Sequence, residues 1–412
     1  MGAEPGGLAG HGGFGGDAGL AGHGGHGGDA GPGGHGGHGG VEVVFGAGAV
    51  RRLDALVDSY GARRVLVVAS EGGLRRAGFG HWLESPRHHL FSGFRPNPAL
   101  DDVLAGCVLR DRVDPDLVVG LGGGSAMDVA KMVRALPADG AAARACLGTG
   151  AAPPPVAGDL VLVPTTSGTG SEVTQFATVF DGERKFSFDH PTAAATRSVV
   201  DPELTATCPA EVTTSCAMDA LCHAVESLWA RRSQAASRAD ALRALDALTG
   251  PLGDGVKDTT AAVREQLARA AIDAGRAINV TRTTAAHAFA YRLTGRYGVP
   301  HGVACLLNLQ WLFAYNTERH GTHCEDDRGR AHVRAQLDAV AAAFGVDLLD
   351  VPGRLGELLA QSAWSPRLGD YGLTERDLPD YVAAGLGSTA RAANNPVRLD
   401  ESLVLRALRA VH

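Results

Sequence analysis

Three short runs constrain this chain more than anything else in it. Arg64-Val-Leu-Val-Val-Ala69, Asp116-Leu-Val-Val-Gly-Leu121 and Leu160-Val-Leu-Val-Pro164 are unbroken stretches of aliphatic residues with no polar residue on alternate positions. A strand with one wet face alternates; one that stays apolar throughout is covered on both sides, as in a parallel sheet. Helical patterns over Ala99–Arg112 and Ala126–Leu136 separate the runs. Strands alternating with helices predict an α/β sheet with right-handed crossovers. Val41–Phe45 and His88–Phe91 read as further short strands, Val50–Tyr60 as an amphipathic helix, and Ser70-Glu71-Gly72-Gly73 as a loop. Val173–Asp181 and Phe186–Phe188 read as a hairpin with Gly182-Glu183-Arg184 at its tip, and Ser198–Val200 reaches Asp201-Pro202. After Pro209 the period changes to 3.6 and Ala/Leu/Arg stretches run almost to His412. An α/β domain over 41–203 and an all-α domain over 204–412 follow.

Composition narrows the class. At 412 residues the chain exceeds what one core usually serves. A formal net charge of −7 argues against nucleic acid or an anionic membrane surface as partner. No run of about 18 apolar residues exists to span a bilayer. Seven cysteines, odd in number and without a CxxC pair, read as reduced thiols of a cytoplasmic protein. Residues 1–40 stand apart, repeating GLAGHGGFGGDA from Gly7 and GLAGHGGHGGDA from Gly19. So much glycine carries a large backbone entropy cost with little apolar surface to offset it, which predicts a disordered tail. Its histidines (His11, His23, His26, His35 and His38) raise metal delivery as a role; linker sequence without function is the plainer reading.

Three motifs carry chemistry. Gly122-Gly-Gly-Ser125 lies between a buried strand and a helix start, where backbone N–H groups and the helix dipole favour a phosphate. Thr165-Thr-Ser-Gly-Thr-Gly-Ser-Glu172 follows another buried strand and reads as a second wall of one nucleotide site. Asp219 and His223, four apart, share a helix face; His287 and His301 can complete a shell of three imidazoles and one carboxylate. Such a set suits Fe²⁺ or Zn²⁺ better than calcium or magnesium. Hydrogen-bonded core histidines are the bland alternative.

Together GGGSAMDVAK (122–131), PTTSGTGSEVT (164–174), MDALCHAVES (218–227) and the His287/His301 spacing resemble the iron-containing (group III) alcohol dehydrogenases, over residues 41–412. PNP at 96–98 and VDP at 200–202 match as well. The resemblance implies the dehydroquinate synthase-like, iron alcohol dehydrogenase fold, with an N-terminal nucleotide-binding domain and a helical metal-binding domain. It implies metal ligands at Asp219, His223, His287 and His301, and cofactor contacts at Asn97, Gly123, Gly124, Ser125, Asp128, Thr165, Thr166, Thr169 and Lys185. Many members carry a further histidine four residues after the third ligand; Tyr291 stands there, as a proton relay or a packing residue. At the Ala69-Ser70-Glu71 strand end, Glu71 would repel a 2′-phosphate and favour NAD(H), while an alignment on Ser70 leaves NADP(H) open.

NVTRTTAAHAFAYRLTGRYGVPHG, FSGFRPNP and ANNPVRLD are most similar to the phosphonoacetaldehyde reductase branch of that family. That implies reduction of phosphonoacetaldehyde to 2-hydroxyethylphosphonate, a step of phosphonate antibiotic biosynthesis. A helical segment over 279–291 would put Arg282 one turn before His287, so Arg282 or Arg292 is the expected phosphonate grip. Two alternatives stand beside it: a dehydrogenase for small neutral alcohols, and a metal-storage protein led by the histidine-rich tail. The edge strand at 41–45 offers a route to a homodimer.

Overall fold

In a computed structural model the described residues are 40–155, 158–182, 184–256 and 259–412. The expected Gly/His tail lies outside them apart from Gly40, as does Glu183 at the expected hairpin tip. Among the described residues, β1 (Glu42–Phe45), β2 (Val65–Val68), β3 (His88–Phe91), β4 (Leu117–Gly122), β5 (Asp159–Pro164) and β8 (Arg197–Val200) form one sheet in the order β1-β8-β5-β4-β2-β3. All its pairings are parallel. The hairpin β6 (Phe176–Asp181) and β7 (Arg184–Asp189) is separate and antiparallel.

The unbroken apolar runs are explained by the layers around this sheet. Val65, Val67, Leu117, Val119, Val161 and Val163 face one apolar cluster, while Leu66, Val68, Val118, Leu160 and Leu162 face another. Helices α1 (Leu53–Ser59), α2 (Glu71–Arg76), α3 (Leu100–Val113), α4 (Gly124–Ala135) and α5 (Gly140–Gly148) belong to this half. The stretch read as a loop at 70–73 instead opens α2, because the Ser70 hydroxyl accepts from Gly73 N at 3.0 Å and caps it.

From residue 210 the described chain is helical: α6 (Ala210–Trp229), α7 (Ala235–Gly253), α8 (Ala261–Thr281), α9 (Ala285–Tyr297), α10 (His301–Arg319), α11 (Arg330–Phe344), α12 (Val351–Gln361), α13 (Leu378–Leu386), α14 (Thr389–Asn394) and α15 (Glu401–Arg409). One large apolar cluster fills their centre, with Trp229, Phe289, Trp311 and Tyr381 fully buried. The expected continuous helix over 279–291 is broken. α8 ends at Thr281, Arg282 takes φ 60°, and α9 starts at Ala285.

The two halves are locked by the loop after β5. A Cβ on Gly168 would stand 2.4 Å from the Cys216 carbonyl on α6, and one on Gly170 would stand 2.5 Å from Gly275 on α8. These glycines let a loop approach two helices at backbone distance. Lys131, fully buried on α4, donates to Ser171 Oγ, Thr174 Oγ1 and the Phe176 carbonyl, at 2.9, 3.1 and 2.9 Å. Asp128 accepts from Ser171 Oγ at 2.7 Å and Thr178 N at 2.9 Å. Lys131 and Asp128 thus bracket α4 to the loop and the hairpin.

Candidate active site

α6 carries the site along one stripe. Asp219, His223 and Glu226 fall at i, i+4 and i+7, so one face presents all three, and all are buried. α9 brings His287 and α10 brings His301 opposite them. Asp219 Oδ1 is 3.3 Å from His287 Nε2, 3.7 Å from His223 Nε2 and 3.9 Å from His301 Nε2. The His223 and His287 rings stack at 4.6 Å. Sulfur joins the group: ligand atoms of Asp219, His287, His301 and Cys305 all lie within 4.8 Å of one another. Cys305, one turn after His301, escaped the sequence reading; its i+4 spacing was the available signal.

The imidazoles are oriented from behind. Glu226, fully buried, receives His287 Nδ1 on one oxygen; the other accepts from Thr284 N at 3.0 Å, Thr284 Oγ1 at 2.5 Å and Ala286 N at 3.0 Å. That leaves His287 Nε2 turned to Asp219. Thr294 Oγ1 lies 3.4 Å from His301 Nδ1 and holds that ring from behind. Burial alone would lower the His287 pKa, but Glu226 and Asp219 together raise it to about 9. Burial lowers His223 to about 4 and His301 to about 3, despite Asp219. Asp219 is held well below the usual carboxylate range: burial opposes this, and the three imidazoles override it.

These residues fit a divalent metal ion. The donors are a carboxylate and imidazoles, the types borderline cations select. His287 is backed by a carboxylate, as metal-ligating histidines usually are. The buried Nδ1 of His223 has no hydrogen-bond partner among the described residues.

A cavity of about 410 Å³ opens from this cluster. Of the residues expected from the sequence, Asn97, Gly124, Ser125, Asp128, Thr169, Lys185, Asp219, His223, Arg282, His287, Tyr291 and His301 line it. Gly123, Thr165, Thr166 and Arg292 are not among its lining residues. Gly123 instead caps α4, whose N-terminus faces the cavity through Gly124 and Ser125. Thr165 N donates to the Gly122 carbonyl at 2.9 Å, so the two glycine-bearing loops adjoin where β4 and β5 end. Ligands of parallel sheets bind at such carboxyl ends.

The expected grips do not share one environment. Arg282 is spoken for: its Nη2 donates to Asp189 Oδ1 at 2.7 Å, with a second bond from Nε to Oδ2 at 2.5 Å. Tyr291 instead collects cations. Its ring stacks on His301 at 5.9 Å, with Lys185 Nζ 3.5 Å and Arg391 Cζ 5.0 Å from its centroid. Burial, reinforced by Arg391, lowers Lys185 to about 7, and burial pushes the Tyr291 hydroxyl up to about 12. Arg391 had no sequence signal; α14 brings it to α9 from a hundred residues away.

Fold and cavity define a class, an oxidoreductase that pairs a nucleotide-binding sheet with a helical metal-binding half. Residues 41–202 match the profile of "Iron-containing alcohol dehydrogenase" and residues 213–412 that of "Fe-containing alcohol dehydrogenase family, C-terminal". The chain belongs to the iron-containing alcohol dehydrogenase family, NAD-dependent oxidoreductases that use a metal ion. Phosphonoacetaldehyde reductase from Streptomyces viridochromogenes is 36% identical over 323 residues, covering 76% of this chain and 80% of that protein. 1,3-Propanediol dehydrogenase from Klebsiella pneumoniae is 29% identical over 327 residues, covering 76% and 80%. The structure of sulfoacetaldehyde reductase from Bifidobacterium kashiwanohense in complex with NAD⁺ superposes with a TM-score of 0.79 at 26% identity, covering 90% of this chain and 96% of that one. Among the described residues no helix is long and apolar enough to cross a membrane.

Proposed function

We propose that this enzyme reduces phosphonoacetaldehyde to 2-hydroxyethylphosphonate with NADH, in phosphonate natural-product biosynthesis. The observation carrying the reductase reading is the convergence of Asp219, His287 and His301 at one end of a cavity whose other wall is the α4 N-terminus. The substrate reading is supported by the 36% identity to phosphonoacetaldehyde reductase. The sulfonate analogue named for the structural relative also carries a tetrahedral anion next to a short aldehyde.

In this reading residues 41–203 bind the nucleotide and residues 204–412 hold the metal. Asp219, His223, His287 and His301 are the ligands, with Fe²⁺ the resident ion and Zn²⁺ the alternative. When bound, the metal supplies Lewis-acid polarisation of a carbonyl and NADH supplies hydride. The chain's own work is positional. Glu226, an acceptor only, keeps the His287 ring proton on Nδ1 and leaves Nε2 a lone pair for the metal, while Thr294 holds the His301 ring through Nδ1. Ser125 and the α4 amides receive the diphosphate, and Asn97, at φ 54°, places its backbone N–H 3.3 Å from Ser125 Oγ. Glu71, exposed at the start of α2, disfavours a 2′-phosphate and selects NADH. Tyr291 keeps its hydroxyl proton across the working pH range and holds the His301 ring by stacking.

The test is NADH oxidation by metal-reconstituted protein on phosphonoacetaldehyde, sulfoacetaldehyde and propanal. The highest kcat/KM is expected on phosphonoacetaldehyde with Fe²⁺. A preference for propanal would move the enzyme to the small neutral alcohols, and no turnover with either metal would overturn the reading.

A further inference from the structure

We infer that Cys305 is a metal ligand, bound through Sγ beside Asp219, His287 and His301, and that it tilts the site toward a thiophilic ion. The inference rests on the metal-site reading above and adds one donor to the four that the sequence nominates.

Helix register puts the sulfur there. His301 and Cys305 stand four apart in the first two turns of α10, so both side chains leave from one face. Cys305 Sγ lies 3.7 Å from His301 Nε2, the same nitrogen that faces Asp219 Oδ1 at 3.9 Å. Cys305 is fully buried, and among the described residues that imidazole nitrogen is the one polar atom its thiol meets. A packing thiol in this chain behaves otherwise. Cys107, equally buried, turns to the Met132 and Val133 carbonyls at 3.9 and 3.8 Å.

The spacings fit a shell around one ion. Bonds of about 2.0–2.3 Å in a tetrahedral site set neighbouring donor atoms about 3.3–3.8 Å apart. Asp219 Oδ1 to His287 Nε2 is 3.3 Å and Cys305 Sγ to His301 Nε2 is 3.7 Å, while Asp219 to His301 lies just outside at 3.9 Å. All four donor atoms fall within 4.8 Å of one another. His223 Nε2, 3.7 Å from Asp219 Oδ1, stays in reach as a fifth donor, a number that catalytic zinc sites adopt. As the Sγ–metal bond forms, the thiol proton leaves to solvent, and the thiolate joins Asp219 as a second anionic donor. A soft sulfur in the shell favours Zn²⁺ or Co²⁺ over the harder Mn²⁺.

The experiment adds one equivalent of Co²⁺ to chelator-stripped, full-length protein and records its absorption spectrum. Visible d–d bands report an ion held in the cluster, and a near-ultraviolet charge-transfer band reports a sulfur–cobalt bond, which histidines cannot supply. Both are expected in the natural protein. Cys305→Ser and Cys305→Ala should keep the visible bands and lose the near-ultraviolet one, although the other cysteines remain. In the same variants Zn²⁺ affinity by chelator competition should fall at least about tenfold, and Mn²⁺ affinity less than about threefold. If circular dichroism shows that Cys305→Ala fails to fold, the nearly isosteric Cys305→Ser carries the test. Visible bands without charge transfer in the natural protein overturn the inference and leave the Asp/His site standing. A charge-transfer band that survives in both variants overturns it too, because the sulfur would be another cysteine's. Absence of both kinds of band removes the metal-site reading itself, and the thiolate ligand with it.

Discussion

Glu226 offers the sharpest test of how this site is built. It is fully buried, and it receives His287 Nδ1, Thr284 N, Thr284 Oγ1 and Ala286 N. Burial raises its pKa, yet His287 and Thr284 bring it below the usual range, so the carboxylate is ionised. It also sits at the N-terminus of α9, where negative charge is favoured. Glu226→Ala removes the acceptor from two backbone amides, a hydroxyl and a charged ring. Breaking a buried pair costs about 3–5 kcal/mol, and the stranded amides put this variant at the upper end. Glu226→Gln is subtler. Its oxygen still accepts from Thr284 and Ala286, so the stability loss should be about 1–2 kcal/mol. Its amide N–H₂, however, faces His287 Nδ1 and forces that atom to accept. The ring proton then moves to Nε2, the atom that faces Asp219, and metal affinity should fall about 10- to 100-fold. Urea unfolding of the metal-free variants gives the first quantity, and chelator competition for Zn²⁺ gives the second. A Glu226→Gln protein that binds metal like the natural one would refute the tautomer argument. Metal-free Glu226→Ala within about 1 kcal/mol of the natural protein would refute the packing argument.

Further outcomes follow from the same contacts. Metal-free protein should be most stable near pH 6.5. Below it, the stability from keeping His223 and His301 neutral is lost as pH falls toward about 4 and about 3; above it, the His287 contribution is lost as pH rises through about 9. Urea midpoints of chelator-stripped protein from pH 5 to 9.5 check this, and a curve still climbing at pH 9 contradicts it. Gly302→Ala should cost about 3 kcal/mol or more, because its Cβ would meet the Ser215 carbonyl at 1.8 Å. Gly295→Ala, in α9 with nothing within 4 Å, should instead stabilise by about 0.5–1 kcal/mol; thermal melts compare the two. Arg292→Ala should leave KM for phosphonoacetaldehyde within about twofold, since Arg292 does not line the cavity. Arg282→Ala should raise KM for anionic and neutral aldehydes alike, because its contacts are with Asp189 and backbone. A selective loss on the anionic aldehyde would restore Arg282 as the grip.

What the sequence determined by itself is whatever depends on period and local stereochemistry. Unbroken aliphatic runs specify strands covered on both faces, because only that environment tolerates apolar residues at every position. Glycines at strand ends specify close-approach loops, and a spacing of four puts Asp219 and His223 on one helix face. Those signals were enough for the layered sheet, the helical half and the four residues around which the site gathers. Where they erred, the error was also local: one cap at Ser70 turned a loop into α2, and one residue at φ 60° broke the helix expected through Arg282. Tertiary structure decided everything that depends on which elements meet. Glu226 became the partner of His287 across 61 residues, and Arg391 came to Tyr291 from a short helix far along the chain. Arg282, one turn from the site in sequence, was captured by Asp189 from the hairpin, 93 residues away. The physical reason is common to all three. A charge acts through what lies within a few ångströms of it, and only the folded chain sets those neighbours.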